Sequence, residues 1–495
     1  MSPCLHRRLR TVVTGAATLL TAAALAGAPL RAQIPQAEYN ARRDALAARL
    51  GEGLLVAFGG RTPVTDFGPF FQLPDFRYLT NYDDPDAALV MVIKGGKAQS
   101  TLFLTPAGAR QQFYYGKRPD SATVERTLGM KARAAGVLEQ VIDSLAAGVK
   151  TVYTVADFAA ADFATQDSTT RGQLWERRFA VAHPKITMRD AHPYIYQIRA
   201  KKSEAELALI RKAAEISSDG HRAAMRVSQP TKEYELQAAI EYEFMRQGGA
   251  RPSYGSIVGG GVRGTQLHYM RNRGDIKPGD LVVIDAATEY EGYAADVTRS
   301  IPVSGVFSPE QRLMYQLVLD AQLAAERNSK LGMSSIAALD SSEDVRARGL
   351  ASLGLIESVD AQLDMPWRTD CVNAPRSCRQ SMFWMIHGIS HGIGLAVHDP
   401  AQFYNGNRTF QVGDAFTIEP GLYISTEMLD ALPDTPRNRA FIAKVKPAVL
   451  RFQNTGVRIE DDYIVTERGT ERISTAPREI AEIEALMRNR GKLIP

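Results

Sequence analysis

LVVIDAATEYEGYAADVTRS, residues 281–300, decides the fold class. Leu281 to Ala286 and Ala294 to Ile301 are rich in β-formers, and Glu289 to Gly292 between them carries turn residues, so the stretch reads as an antiparallel hairpin. With the turn centred on Tyr290-Glu291, Asp285 lies across from Asp296. Two like charges facing each other across an antiparallel pair repel. Their neighbours Val283, Ile284 and Val297 are apolar and limit relief by solvent, so a positive group is expected between the two carboxylates. The alternative is one aspartate pointing to solvent at the hairpin end.

Helical patterns flank this hairpin on both sides. Ser203 with Glu206 forms a capping box and opens a helix that carries Leu207, Ile210 and Ala214 on one face. Thr231 is expected to cap a second helix bearing Leu236, Ile240 and Phe244, stopped by Gly248-Gly249. Ser308-Pro309-Glu310-Gln311 opens a third, running to about Lys330. Helices grouped beside antiparallel strands make residues 196–495 an α+β domain.

Three more segments of that domain carry chemistry. Three of the eight histidines fall within HGISHGIGLAVHD, 387–399: His387, His391 and His398. The glycines there argue against an amphipathic helix and suit a backbone packed close to a ligand. In TIEPGLYI, 417–424, Glu419 stands between β-formers and Pro-Gly, at a strand end. In GVRIEDD, 456–462, alternation puts Arg458 and Glu460 on one face, and a surface salt-bridge face is the plain reading of Glu460 alone. Asp285, Asp296, Glu419, Glu460 and one histidine, His391 first, form an oxygen-rich donor set of charge −4. One divalent cation leaves an excess of negative charge and two balance it. Such donors suit Mn²⁺, Co²⁺, Fe²⁺ or Zn²⁺ better than a thiolate site does. Two ions roughly 3.5–4 Å apart can activate a bridging water for hydrolysis without a serine or cysteine nucleophile.

Upstream, residues 33–195 read as a smaller α/β unit. Leu54 to Phe58, Ala87 to Ile93 and Thr101 to Leu104 are strand-like, and Ala41 to Leu50 and Ala134 to Leu145 are helical. This half gathers no cluster of histidines or carboxylates, and it is expected to be structural or oligomerising and to shape substrate access. Residues 1–32 have the layout of a cleavable secretory signal peptide: Arg7, Arg8 and Arg10, then an apolar run from Thr11 to Ala26, with cleavage expected after Ala32. Export to the periplasm or the medium follows. It makes a local Cys371–Cys378 disulfide as plausible as two free thiols. At 495 residues, 45% apolar and 23% charged, the chain is an ordinary globular protein of two or three domains. Its net charge of +4 is carried by the four leader arginines, so the remainder is neutral and has no field for nucleic acid or an anionic membrane. No stretch offers a convincing membrane span or anchor.

The spacing Asp–x10–Asp, then HGISHGIGLAVHD, TIEPGLYI and GVRIEDD, resembles the pita-bread-fold metallopeptidases, the family of aminopeptidase P (Xaa-Pro aminopeptidase), prolidase, methionine aminopeptidase and creatinase. DFRYLTNYDDPDAALV, 75–90, and HPYIYQIRAKKSEAELALIRKAAEI, 192–216, resemble the creatinase-type N-terminal domain of aminopeptidase P and its junction. Methionine aminopeptidases lack that domain, and creatinase lacks the metal ligands. The resemblance implies a pita-bread catalytic domain behind a creatinase-like domain, with two divalent ions, Mn²⁺ first. Asp285 would chelate one ion, Asp296 and Glu460 would bridge both, and His391 and Glu419 would hold the second. His268, in Gln266-Leu267-His268-Tyr269, resembles a substrate-facing histidine. His387 and His398 resemble those flanking the scissile peptide, and Arg458 the arginine beside the bridging glutamate. Glu419 would also shuttle a proton. The implied activity is removal of the N-terminal residue from peptides with proline second, by a homodimer. Prolidase, which takes Xaa-Pro dipeptides, is the alternative, and a non-catalytic peptide binder a third. Two additions depart from the family pattern, about Asp364 to Cys378 and Thr426 to Thr455, and both are expected to rim the cleft.

Overall fold

The computed structural model describes residues 34–62, 69–155, 170–367, 370–404, 406, 408–488 and 490–491. The expected signal peptide lies outside these residues. The first half is built on a six-stranded sheet. Its strands run in the order Lys131–Ala134, Lys97–Leu104, Ala88–Lys94, Gly53–Phe58, Thr151–Val155, Thr187–Asp190. Gly53–Phe58 and Lys97–Leu104 both run antiparallel to Ala88–Lys94 between them, while the three outer pairs are parallel. Gly53–Phe58 is buried along its whole length, because helices cover both faces of a mixed sheet. The α/β reading of this half holds.

The later strands all pair antiparallel. They form three-stranded sheets around Leu281–Asp285, around Thr288–Tyr290 and around Asp461–Thr466, and the pair Gly421–Ile424 with Thr455–Arg458. Long helices Glu204–Val227, Glu233–Arg246, Pro309–Asn328 and Ser335–Ser352 accompany them. Ser203 and Ser308 cap as read, each side chain accepting from the backbone N–H three residues on. The second helix starts one residue later than expected, after Lys232. Thr231 instead accepts from the Ile276 N–H in a bridge to the next segment.

The hairpin register differs from the sequence reading. Tyr290 pairs with Tyr293 and Asp285 with Thr298, so Asp285 does not face Asp296 directly. The turn is Glu291-Gly292, with φ of 48° and 84°. Two positive φ values make a turn whose twist matches the strands, and it lies one residue beyond the centre assumed. The addition at 426–455 also differs from a rim. Its helix Pro436–Phe452 buries Phe441, Val445, Val449 and Phe452 in the main core beside Phe383 and Trp384. Spacing of four, four and three residues puts those side chains on one stripe, and Pro436 at the first turn costs no hydrogen bond. Asp364 ties the two additions together, accepting from Thr435 and Arg437 at 2.7 Å each. Cys371 and Cys378 form a disulfide. Among the described residues no helix is long and apolar enough to cross a membrane.

Candidate metal centre and active site

Strand ends and breaks place the acids. Asp285 closes Leu281–Asp285, and Asp296 sits in the gap between Tyr293–Ala294 and Thr298–Pro302. Glu419 follows Ala415–Ile418, and Glu460 bridges to Thr298 between Thr455–Arg458 and Asp461–Thr466. A β-bridge keeps the backbone paired, while the break turns each carboxylate inward. Two buried donors pin these breaks. His221 Nε2 lies 2.9 Å from both the Ala286 and the Val297 carbonyls, one residue past each aspartate. Arg299 donates to the carbonyls of Thr298 at 2.8 Å and Glu460 at 2.7 Å.

His391 enters on the glycine-rich loop. Its Nε2 lies 3.4 Å from Asp296 Oδ2, 3.4 Å from Glu419 Oε1 and 3.9 Å from Glu460 Oε1. Ligand atoms of Asp296, His391 and Glu460 all fall within 4.8 Å of one another. Asp285 joins through Tyr254, whose hydroxyl lies 2.5 Å from Asp285 Oδ1 and 2.6 Å from Asp296 Oδ1. Arg458 pairs with the other Asp285 oxygen and donates to the Tyr423 hydroxyl at 2.8 Å. Tyr423 lies 2.8 Å from His387 Nε2, and His387 Nδ1 is 3.4 Å from Glu419 Oε2. His398 is exposed, with its ring centroid 4.1 Å from that of His391. His268 is exposed on a turn beside Arg458, which reaches the Leu267 carbonyl at 3.4 Å, and among the described residues the His268 side chain makes no hydrogen bond. The five expected ligands, His387, His398 and Arg458 thus converge, while His268 stands at the edge.

The electrostatics show a deficit of positive charge. Burial, and then the Asp285 charge, push the Asp296 carboxyl up to about 6 against the opposing hydrogen bond from His391. Burial and the charges of Asp296, Glu419 and Asp285 raise Glu460 well above the usual range. Glu460 Oε2 accepts from Thr298 at 2.7 Å, but Oε1 is buried with no hydrogen-bond partner. Burial alone would lower His391, yet Asp296 and Glu419 outweigh it and bring the imidazole to about 9. Burial also works to raise Glu419, but the His387 hydrogen bond and the charges of His391, His387 and Arg458 hold it below its ordinary value. An orphaned carboxylate oxygen within a ring of acids and one imidazole is the donor set of a divalent cation, so the residues present fit a metal.

Tyr254, Tyr423, His221 and Arg299 were not legible as site residues. Tyr254 lies 31 residues before Asp285 with no motif around it. Tyr423 stands inside TIEPGLYI, where strand alternation could have pointed it toward the site. The glycines were legible, and two have steric reasons. A Cβ on Gly392 would meet the Asp399 carbonyl oxygen at 2.3 Å, and one on Gly421 the Tyr423 hydroxyl at 2.5 Å.

Comparison with known proteins gives the family. Residues 208–467 match the profile of metallopeptidase family M24, and residues 39–153 that of the aminopeptidase P N-terminal domain. The Xaa-Pro aminopeptidase of Escherichia coli K12 is 32% identical over 466 residues, covering 92% of this chain and 98% of the relative. That of Haemophilus influenzae is 32% identical over 470 residues with the same coverage. Among solved structures, proline aminopeptidase P II from Yersinia pestis is 30% identical with a TM-score of 0.74, covering 92% of this chain and all of that one. Zinc-substituted E. coli aminopeptidase P in complex with product is 31% identical, with a TM-score of 0.74 over 93% of this chain. A two-domain fold, a carboxylate–histidine centre and these matches together make the chain a metal-dependent hydrolase that belongs to the aminopeptidase P group of metallopeptidase family M24.

Proposed function

We propose that this protein is an exported Xaa-Pro aminopeptidase that uses two divalent ions, Mn²⁺ by preference, to hydrolyse the first peptide bond when proline is second. The observation that carries the reading is Glu460, a buried carboxylate with one oxygen unpartnered among Asp296, His391 and Glu419. The names of the E. coli and H. influenzae relatives supply the substrate class. Asp285, Asp296, His391, Glu419 and Glu460 would hold the ions. When bound, two such ions supply Lewis acidity, turning water into a hydroxide nucleophile near neutral pH and polarising the scissile carbonyl.

The chain's own groups do the rest. Glu419, held ionised by His387 and His391, accepts the proton of the attacking water and passes it to the leaving imino nitrogen. His387, oriented by Tyr423, or His398, on the open side of His391, donates to the developing oxyanion. Arg458 orients Asp285 and Tyr423. His268 faces the substrate from its turn. The bond before proline has no N–H, so recognition rests on ring shape and on the charge of the free amino terminus.

Export rests on the leader at 1–32 and is supported by the Cys371–Cys378 disulfide, which suits an oxidising compartment. We place the domain division at 195/196, after the last strand of the six-stranded sheet, and we take the chain as a homodimer. The helix Ala109–Tyr115 buries none of its residues and exposes Phe113, Tyr114 and Tyr115, a face suited to a second subunit. Light scattering that gives a stable monomer removes the dimer.

The deciding experiment is hydrolysis of Ala-Pro, Ala-Pro-Ala and Ala-Ala-Ala by protein from residue 33, stripped with chelator and resupplied with Mn²⁺. Release of alanine from Ala-Pro-Ala, with little from the others, is the expected result. Preference for Ala-Pro would make the enzyme a prolidase. Cleavage of none under any metal would mean another substrate class or a binder.

A further inference from the structure

A second buried charge cluster stands behind the histidine loop. Arg199 ends the helix His192–Arg199, and its side chain is 2% exposed. One guanidinium nitrogen pairs with Asp75, on the helix Pro74–Thr80 of the first sheet's unit, and another pairs with Asp399. Lys202 Nζ lies 3.0 Å from Asp399 Oδ2 and donates to the Pro400 carbonyl at 2.5 Å. His192 Nε2 lies 3.4 Å from Asp75 Oδ2. Two cations thus meet two carboxylates, which makes a closed set in the interior.

Asp399 is also the knot of the catalytic loop. Its Oδ1 accepts from the Ala396 N–H at 3.1 Å, and its own N–H donates to the Gly392 carbonyl at 2.8 Å. A Cβ on Gly394 would lie 2.5 Å from Asp399 Oδ2 and 3.0 Å from Lys202 Cε, so the loop closes tightly round this one side chain. His391 precedes Gly392, and His398 precedes Asp399. Both ends of the loop therefore hand their position to an imidazole. Arg199 lines the same cavity of about 280 Å³ as His391 and His398, and its Nε is buried without a hydrogen-bond partner among the described residues. A planar guanidinium can serve two carboxylates from separate nitrogens in fixed geometry, which an ammonium cannot.

We propose that Arg199 is a positioning residue: by holding Asp399 against Asp75 it fixes the loop 391–399 so that His391 faces the carboxylates with the His398 ring beside it, and through Asp75 the N-terminal unit acts on the catalytic centre. The kinetic consequence rests on the aminopeptidase reading, but the geometric one does not. The test uses the full mature protein and two readouts. The first is the ring signals of His391 and His398 in histidine NMR of the metal-free protein, assigned with His391→Gln and His398→Gln. The second is kcat and KM for Ala-Pro-Ala with Mn²⁺.

Arg199→Met should shift both ring signals and lower kcat about 10²-fold, the scale of a misplacement near 1 Å, with KM nearly unchanged. Arg199→Lys, which keeps the charge and one of the two contacts, should recover part of both. Asp75→Asn, which leaves the Arg199–Asp399 pair intact, should move the signals less and lower kcat by less. Unmoved ring signals with unchanged kcat in Arg199→Met would overturn the proposal, as would Arg199→Lys failing as completely as Arg199→Met. If Arg199→Met does not fold, Asp75→Asn decides: unchanged signals and kcat there overturn it. Ring signals that move while the wild-type protein cleaves no peptide would retain the positioning role and reject the aminopeptidase reading.

Discussion

Glu460 and Asp461 are adjacent in the chain, both acidic and both buried, at 2% and 0% exposure. Strand alternation sends them to opposite sides, and the two sides treat a carboxylate differently. Asp461 accepts from Arg299 at 2.6 Å, Ser474 at 2.6 Å and Gln322 at 3.0 Å, with Arg478 at 3.3 Å and Arg472 at 3.5 Å. Burial works to raise its pKa, but the three arginines win and hold it below the ordinary carboxylate value. Glu460 has one hydroxyl donor and an orphaned oxygen among three other acids, and its carboxyl is raised. Burial is common to both, so burial alone does not mark a site. The mark is whether the chain itself closes the charge. Where it does, the acid is a structural member; where it does not, the missing cation must come from outside.

The largest effect that would sharpen this contrast is at Glu460. Glu460→Ala should lose metal and activity together, with kcat/KM falling more than about 10³-fold, while the metal-free protein keeps its stability because a buried carboxyl with an unpartnered oxygen has gone. Metal analysis showing full occupancy in this variant would break the contrast at its centre. Asp461→Asn should do the reverse. It strands buried guanidinium groups and should cost about 3–5 kcal/mol in urea unfolding of the metal-free protein. Unchanged stability there would mean that the arginines do not close the charge.

His268 belongs to neither class, being exposed and outside the charge cluster. His268→Ala should keep both ions and leave folding alone, yet lower kcat by about 10²-fold if it handles substrate or proton at the reacting bond. Loss of metal in that variant would move His268 into the ligand set. Tyr254 is subtler, since its hydroxyl bridges Asp285 and Asp296 at the distances of strong hydrogen bonds. Tyr254→Phe should weaken metal affinity about 10–100-fold in a chelator competition, as loss of a group that orients a ligand does.

How much of this was legible depends on range. The capping boxes at Ser203 and Ser308 are settled within four residues, and they form as read. The hairpin register failed because it hangs on a single turn. Both Glu291 and Gly292 take positive φ, and nothing in the strands themselves reports that. The helix Pro436–Phe452 was hidden by its charges and prolines, although Phe441, Val445 and Val449 already show a helical spacing. The acids of the site were legible as types in a familiar order. What separates Glu460 from Asp461 was not, since both stand in one β-rich run and the distinction lies in Arg299, Gln322 and Arg478, brought from elsewhere in the chain. Tyr254 illustrates the same limit, because its role exists only once two strand breaks bring Asp285 and Asp296 to one hydroxyl.

The smallest expected effect is also the one that tests the charge deficit most directly, because it needs no substitution. In the metal-free protein His391 titrates near 9 against an ordinary 6.5, and Asp296 near 6 against 3.8. Both folded values are raised, so the folded state binds these protons more tightly than the unfolded chain. The stability from His391 is then fully present below about pH 6.5 and lost as pH rises through about 9; that from Asp296 is full below about 3.8 and lost through about 6. Asp461 has the opposite sign, since a lowered carboxyl contributes above its ordinary value and fails only on acidification, so it is constant across the window that matters. Between about pH 6 and 9 the metal-free protein should therefore unfold at progressively lower temperature, by a few degrees at this chain length. Metal must displace the same protons, so the gap between Mn²⁺-loaded and metal-free unfolding temperatures should widen over that interval. Calorimetry at three pH values measures both. A metal-free protein that grows more stable from about pH 6 to 9 would show that the acids around His391 are already balanced, and the distinction between Glu460 and Asp461 would fall with it.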